Sequence, residues 1–282
     1  MTDSAPAESA PKRSVFYLSD RTGITSETLG ATLLTQFDED SFKQSTLPFV
    51  NTVEKARSAV EYINHTARQS GLKPIVFSTT IDEDIRKILR DAEALFMDLF
   101  DRFVPAMEDE LAVKATNRVG RAHGIPDQQV YDTRIDAMNF ALKFDDGMSY
   151  DGYEKAQVIL IAPSRCGKTP ACVYMAMQHG IFAANYPLTE EDLESTQLPK
   201  QLRPFKEKLY GLSIDPERLH NIRSERRRGS SYAALPQVTF ELRAAESLYK
   251  RHKIPFTTTT NMSIEEIATM IMQEKGMRRR SF

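Results

Sequence analysis

The sequence is short of everything that would mark it for a membrane, a disulfide scaffold or a nucleic acid. Its two cysteines, Cys166 and Cys172, are too few for a disulfide framework and suit a reducing compartment. Its five histidines are scattered, with no H-x-x-H or H-E-x-x-H spacing and so no zinc signature. No apolar run approaches the roughly 18 residues that span a bilayer. Charge is nearly balanced at −2, which gives no global basic field for nucleic acid. The opening MTDSAPAESAPKR is small, polar and proline-containing, which predicts a disordered tail over 1–13 and not a secretory signal. No low-complexity segment follows it. The expectation is a soluble, cytoplasmic protein.

What is present is an α/β pattern. The chain of 282 residues is 41% hydrophobic and 27% charged, enough for one large domain or two of ordinary size. SVFYLS (14–19), STLPFV (45–50) and PIVFST (74–79) read as strands, with Pro48 best placed at an edge. Between them, Leu29, Leu33, Leu34 and Phe37 share one predicted helix face, and Val53, Ala56, Val60, Ile63 and Ala67 another. Asn51 with Glu54 resembles a capping box, and Gly71 is the stop. Such β-α-β-α-β order predicts a parallel sheet. From 82 to 145 the pattern is mostly helical, and the polar DDGMSYDGYEK ends it. We therefore expect an N-terminal α/β domain over 14–150 and a P-loop kinase-like α/β domain over 151–282. In the second, AQVILIA (156–162) is apolar enough for a central strand, and IFAANY (181–186), KLYGLSI (208–214) and IPFTTTT (254–260) follow it. Ser263 and Glu266 form a capping box before the last helix.

The most informative stretch is IAPSRCGKTPACVYMA (161–176). It reads almost as the phosphate-binding loop G-x-x-x-x-G-K-[ST], with alanine at 162 for the first glycine and proline at 163. A phosphate cradle needs an incoming strand, a loop presenting N–H groups and a helix N-terminus aimed at the anion. AQVILIA is the strand; TPACVYMAMQHG is the helix, with Pro170 in its first turn and Gly180 at its end. The candidate nucleotide-binding set is Ala162, Pro163, Ser164, Arg165, Cys166, Gly167, Lys168 and Thr169. Lys168 would neutralise a phosphate and Thr169 would place its hydroxyl on Mg²⁺. Ala162 is expected to cost about 1 kcal/mol if its φ is positive.

Other residues carry more than one reading each. Asp215 follows a strand in a Walker-B-like position, or it caps the helix begun by Pro216. The arginines of RSERRRGSSY (223–232), Arg223, Arg226, Arg227 and Arg228, suit a phosphate-contacting lid, a docking surface or a solvated helix end. In SDRTGIT, Ser19, Asp20, Thr22, Thr25 and Ser26 form either an anion site or a capped turn. His123 is a proton carrier or an ordinary loop histidine. Cys172, Val173 and Met175 belong to the core.

Taken together, VFYLSDRTGIT, LPFV, HGIPDQQVYDTRIDAMNFALKFDDG, SRCGKTP, GLSIDPERL and TNMSIEEIA resemble the bacterial phosphoenolpyruvate synthase regulatory proteins, which are related to the pyruvate, phosphate dikinase regulators. The likeness covers nearly the whole chain after the tail. It implies a bifunctional enzyme that uses ADP to phosphorylate a threonine of phosphoenolpyruvate synthase. The same enzyme would remove that phosphate with inorganic phosphate, forming pyrophosphate. It further implies that the 162–169 loop binds ADP, with Lys168 and Thr169 in those roles; these two, with Asp215 from its Walker-B-like position, are the candidate catalytic residues. Two positions depart from the family pattern: Ala162–Pro163 stands for glycine–valine, and Arg21 for glycine. The same activities on pyruvate, phosphate dikinase, and a non-catalytic nucleotide-sensing module, stay open as alternatives. A homodimer is a further expectation.

Overall fold

The computed structural model describes residues 12–38, 41–116, 128–195, 197–227 and 230–277, with the backbone alone at 128–130. Most of the tail, His123 and Arg228 lie outside the described residues. Contacts divide the chain into Met1–Gly124 and Ile125–Phe282. The division precedes the 145–155 stretch where the sequence suggests a boundary. Its physical reason is a helix (Gln128–Lys143) that buries Ala137, Phe140 and Ala141 in the second unit's core.

The first unit runs β1 (Arg13–Leu18), α1 (Ile24–Leu34), β2 (Phe42–Leu47), α2 (Val53–Ser70), β3 (Ile75–Ser78), α3 (Glu83–Leu89), β4 (Leu95–Asp98) and α4 (Leu99–Leu111). Its strands form a parallel sheet in the order β2-β1-β3-β4. Pro48 falls just past the edge strand β2, where its missing N–H costs no ladder bond. Strand β4 lies within the stretch read as mostly helical.

Helix α1 turns a different face inward from the one its leucines suggest. Ser26, Gly30 and Leu34 are buried, while Leu29, Leu33 and Phe37 are exposed. The close approach is made by Gly30: a Cβ there would stand 2.6 Å from Tyr17 and 2.7 Å from Phe77. The cap of α2 also shifts by one residue. Thr52, not Asn51, accepts from the Lys55 N–H, and Asn51 accepts from the Lys55 ammonium instead. Gly71 closes that helix at φ 65°, as expected.

The second unit runs α5 (Gln128–Lys143), β5 (Val158–Ala162), α6 (Lys168–His179), β6 (Ala183–Pro187), α7 (Glu190–Glu194), β7 (Leu209–Ser213), α8 (Pro216–Arg226), α9 (Leu235–His252), β8 (Phe256–Thr258) and α10 (Ile264–Glu274). Its order, β6-β5-β7-β8, is again all parallel. The fold is thus α/β, with two four-stranded parallel sheets. Strand β5 is buried at every position because helices cover both faces. Val158 and Leu160 share a cluster with the buried residues of α6 and α10, whereas Ile159 and Ile161 share one with Ala245, Leu248 and Tyr249 of α9. The Ser263–Glu266 capping box makes both of its bonds. Among the described residues, no helix is long and apolar enough to cross a membrane.

Candidate functional site

The loop after β5 stands where the strand order reverses, since β5 is flanked by β6 and β7. In open α/β sheets the carboxyl ends of strands at such a reversal form a natural crevice. Ala162 is the last residue of β5, paired with Pro187 and fully buried, and its φ is not positive. The conformational cost expected of a missing glycine therefore does not arise. Positive φ falls instead on Arg165 (76°) and on Gly167 (91°), the N-cap of α6. No side chain caps α6, which leaves its first N–H groups for an outside acceptor.

Lys168 is 3% exposed, and its ammonium donates to the carbonyls of Ala162 (3.2 Å) and Pro163 (3.1 Å). Burial pushes its pKa below the ordinary 10.5, opposed in part by Cys166 and the carboxylates of Asp146 and Asp145. Cys166 is buried under the loop, and desolvation raises its thiol to about 11, so it is a packing group and no nucleophile.

The residue that sequence reasoning missed is Asp145. The Thr169 hydroxyl donates to its Oδ1 at 2.6 Å, and Asn185 Nδ2 donates to the same oxygen at 2.5 Å. The fold brings this about through β6, an edge strand. Asn185 N–H donates to Phe144 O, and Gly147 N–H donates to Asn185 O, so the turn after α5 lies along the outer edge of β6. Asn185 is 0% exposed, and its Oδ1 accepts from the Asp146 N–H at 3.0 Å. One signal was legible: a lone asparagine inside the apolar strand IFAANY is costly unless its amide is fully used.

Asp215 takes its other reading. Its carboxylate accepts from the Arg218 N–H at 3.0 Å as the N-cap of α8, with Pro216 at the first helical position. The described arginines separate as well. Arg223 is buried, while Arg226 and Arg227 are exposed at the end of α8.

The turn Ser19–Gly23 of the first unit repeats the loop's length and its glycine cap, but Arg21, in the place of Arg165, does not have a positive φ. In each unit an αL glycine caps the helix five positions after the strand ends, with Gly23 at φ 83° and Gly167 at 91°. The position of Lys168 is taken by Ile24, which is 57% exposed. Glu27 occupies the first helical turn and accepts from the Thr46 hydroxyl at 2.9 Å. Asp20 is buried, and desolvation raises its pKa. Ser26 donates to Gly23 O and Ser19 accepts from the Arg21 N–H, so both serve the turn itself.

A family model described as Kinase/pyrophosphorylase matches residues 15–272. The chain belongs to that family. A phosphoenolpyruvate synthase regulatory protein of Alkalilimnicola ehrlichii is 51% identical over 96% of this chain and 98% of its own length. Proteins of the same name from Alcanivorax borkumensis (50%) and Legionella pneumophila (49%) each match over 95% of this chain and 99% of their own.

The arrangement fits a magnesium-bound phosphate ester. Thr169 Oγ and Asp145 Oδ1 are two hard oxygen donors set side by side at the head of α6. Magnesium takes one or two such ligands and fills the rest of its octahedron with water and phosphate. No cluster of three or more His, Cys, Asp or Glu suited to a metal exists among the described residues.

Proposed function

We propose that this protein reversibly switches phosphoenolpyruvate synthase by phosphorylating and dephosphorylating one of its threonines in the cytoplasm. In the inactivating direction the threonine oxygen bonds to the β-phosphorus of ADP. The bridging P–O bond breaks, AMP leaves and the hydroxyl proton passes to solvent or base. In the activating direction inorganic phosphate attacks the phosphothreonine, and pyrophosphate and free threonine result.

The observation that carries this reading is the group Lys168, Thr169, Asp145 and Asn185 at the head of α6, in a chain of the Kinase/pyrophosphorylase family. Phosphoryl transfer needs positioning and charge neutralisation more than covalent chemistry. One cradle of that kind can therefore serve a hydroxyl acceptor and a phosphate acceptor. Uncapped α6 N–H groups would hold the anion, Lys168 would exchange its loop carbonyls for a phosphoryl oxygen, and Thr169 with Asp145 would hold Mg²⁺. Bound there, Mg²⁺ would spread the negative charge that develops on the transferred group. Phosphoenolpyruvate synthase as the target follows from the names of the relatives. A binding-only role drew its support from the altered loop start, Ala162–Pro163; of these, Ala162 lies in β5 at a φ that does not call for glycine.

The test offers β-labelled ADP, and in parallel γ-labelled ATP freed of ADP, to the protein with Mg²⁺ and phosphoenolpyruvate synthase primed with ATP and pyruvate. Label on a target threonine from ADP is the expected result, with release as pyrophosphate once phosphate is added. Label from ATP alone would make this an ordinary kinase, and label from neither with ADP bound would leave a sensing module.

A further inference from the structure

Arg223 is the largest fully buried side chain in the described structure, and its partners come from three other segments. Its Nη2 donates to Ser164 O of the loop at 3.0 Å and to Glu241 Oε2 of α9 at 2.7 Å. Its Nη1 donates to Tyr232 O at 3.0 Å, and the guanidinium lies over the Tyr232 ring, 4.1 Å from the centroid. Glu241 is held in turn by Gln237, whose amide also reaches Glu190 of α7.

The bond to Ser164 O has a consequence for the loop. A trans peptide is planar, so its C=O and the N–H of the next residue point in opposite directions. Fixing Ser164 O toward Arg223 therefore turns the Arg165 N–H the other way. Arg165 is also the loop residue with φ 76°, a conformation that a non-glycine residue adopts only when held. The two preceding carbonyls, of Ala162 and Pro163, are held by Lys168, the group that would leave them to meet a phosphate. Ser164 O has a partner that need not move. Because Glu241 balances the guanidinium, the pair adds little net charge to an anion in the loop.

We propose that Arg223 is a positioning residue for the 163–167 loop: it fixes the Ser164–Arg165 peptide so that the loop is shaped for nucleotide phosphates before they arrive. This rests on the reading of the loop as an ADP site. A lysine at 223 keeps the charge but loses the planar fork, so it cannot serve Ser164, Tyr232 and Glu241 together.

The experiment measures ADP binding by calorimetry, with kcat and KM for label transfer, in wild type and Arg223→Lys, beside the melting temperature of each. Wild type binds ADP. Arg223→Lys is expected to bind about tenfold more weakly, the worth of one charge-assisted hydrogen bond. Its KM should rise by a similar factor while kcat at saturating ADP changes less, since bound ligand restores the loop. A folded Arg223→Lys with unchanged affinity overturns the proposal and leaves the ADP site standing. Losses of kcat and melting temperature without a selective rise in KM reduce Arg223 to a structural strut and overturn it as well. Wild type that fails to bind ADP removes both readings. If Arg223→Lys does not fold, Glu241→Gln decides: it keeps an acceptor but loosens the guanidinium, and affinity equal to wild type overturns the proposal.

Discussion

Replacing Asp145 by asparagine removes one charge and almost no volume, which makes it the sharpest probe of the site. Oδ1 of Asp145 accepts from both Thr169 and Asn185. Hydrogen bonds to a charged acceptor are worth about 1.5–3 kcal/mol and neutral ones about 0.5–1.5, so at mid-range two bonds would lose about 2.5 kcal/mol. Asp145 is partly exposed, and solvent screening lowers this to about 1 kcal/mol. In a unit of this size that is a melting shift of about 2–4 °C. Activity has more to lose, because a neutral amide oxygen is a poor magnesium ligand. Taking the metal's transition-state stabilisation as about 3 kcal/mol, transfer from ADP should fall at least about 100-fold. The assay is the initial rate of label transfer to phosphoenolpyruvate synthase at saturating ADP, with a thermal melt of the same sample. Asp145→Asn within threefold of the wild-type rate, with the fold intact, would refute the assignment. A melting loss far above the range given would show that Asp145 is structural.

Three further outcomes follow from the same structure. Lys168→Ala should abolish transfer in both directions while the chain stays folded, and retained turnover would move the chemistry elsewhere. Burial lowers the Lys168 pKa in the free protein and a phosphate would raise it. Binding between the lowered and the raised pKa should therefore take up a proton, and ADP affinity should weaken as pH rises through that window. Calorimetry in buffers of different ionisation enthalpy reads that uptake, and its absence sinks the argument. Gly30→Ala should lower the first unit's melting temperature. Overpacking against Tyr17 and Phe77 costs about 1–3 kcal/mol, which outweighs a helix-propensity gain of up to about 1.

Seven of the eight described strands and the loop were legible because their signals are local. VILIA is apolar enough for a central parallel strand, and Gly167-Lys-Thr before a helix is a pattern of adjacent residues. The Ser263–Glu266 capping box and the Gly71 and Gly180 stops are local in the same sense. What the sequence by itself determined, then, is the α/β rhythm, the glycine-capped turn before α6 and the family. Tertiary structure alone decided which face of α1 goes inward, since Gly30 offers no apolar signal and acts only through its nearness to Tyr17 and Phe77. It also decided which carboxylate serves the loop. Asp145 lies 24 positions before Thr169 and reaches it because the turn after α5 bonds to β6, whereas Asp215 satisfies its own helix. Arg223 was one arginine in a basic run until packing buried it against Ser164. Spacing along the chain reports contacts within one turn of helix or strand, and these contacts depend on pairings made across the sheet.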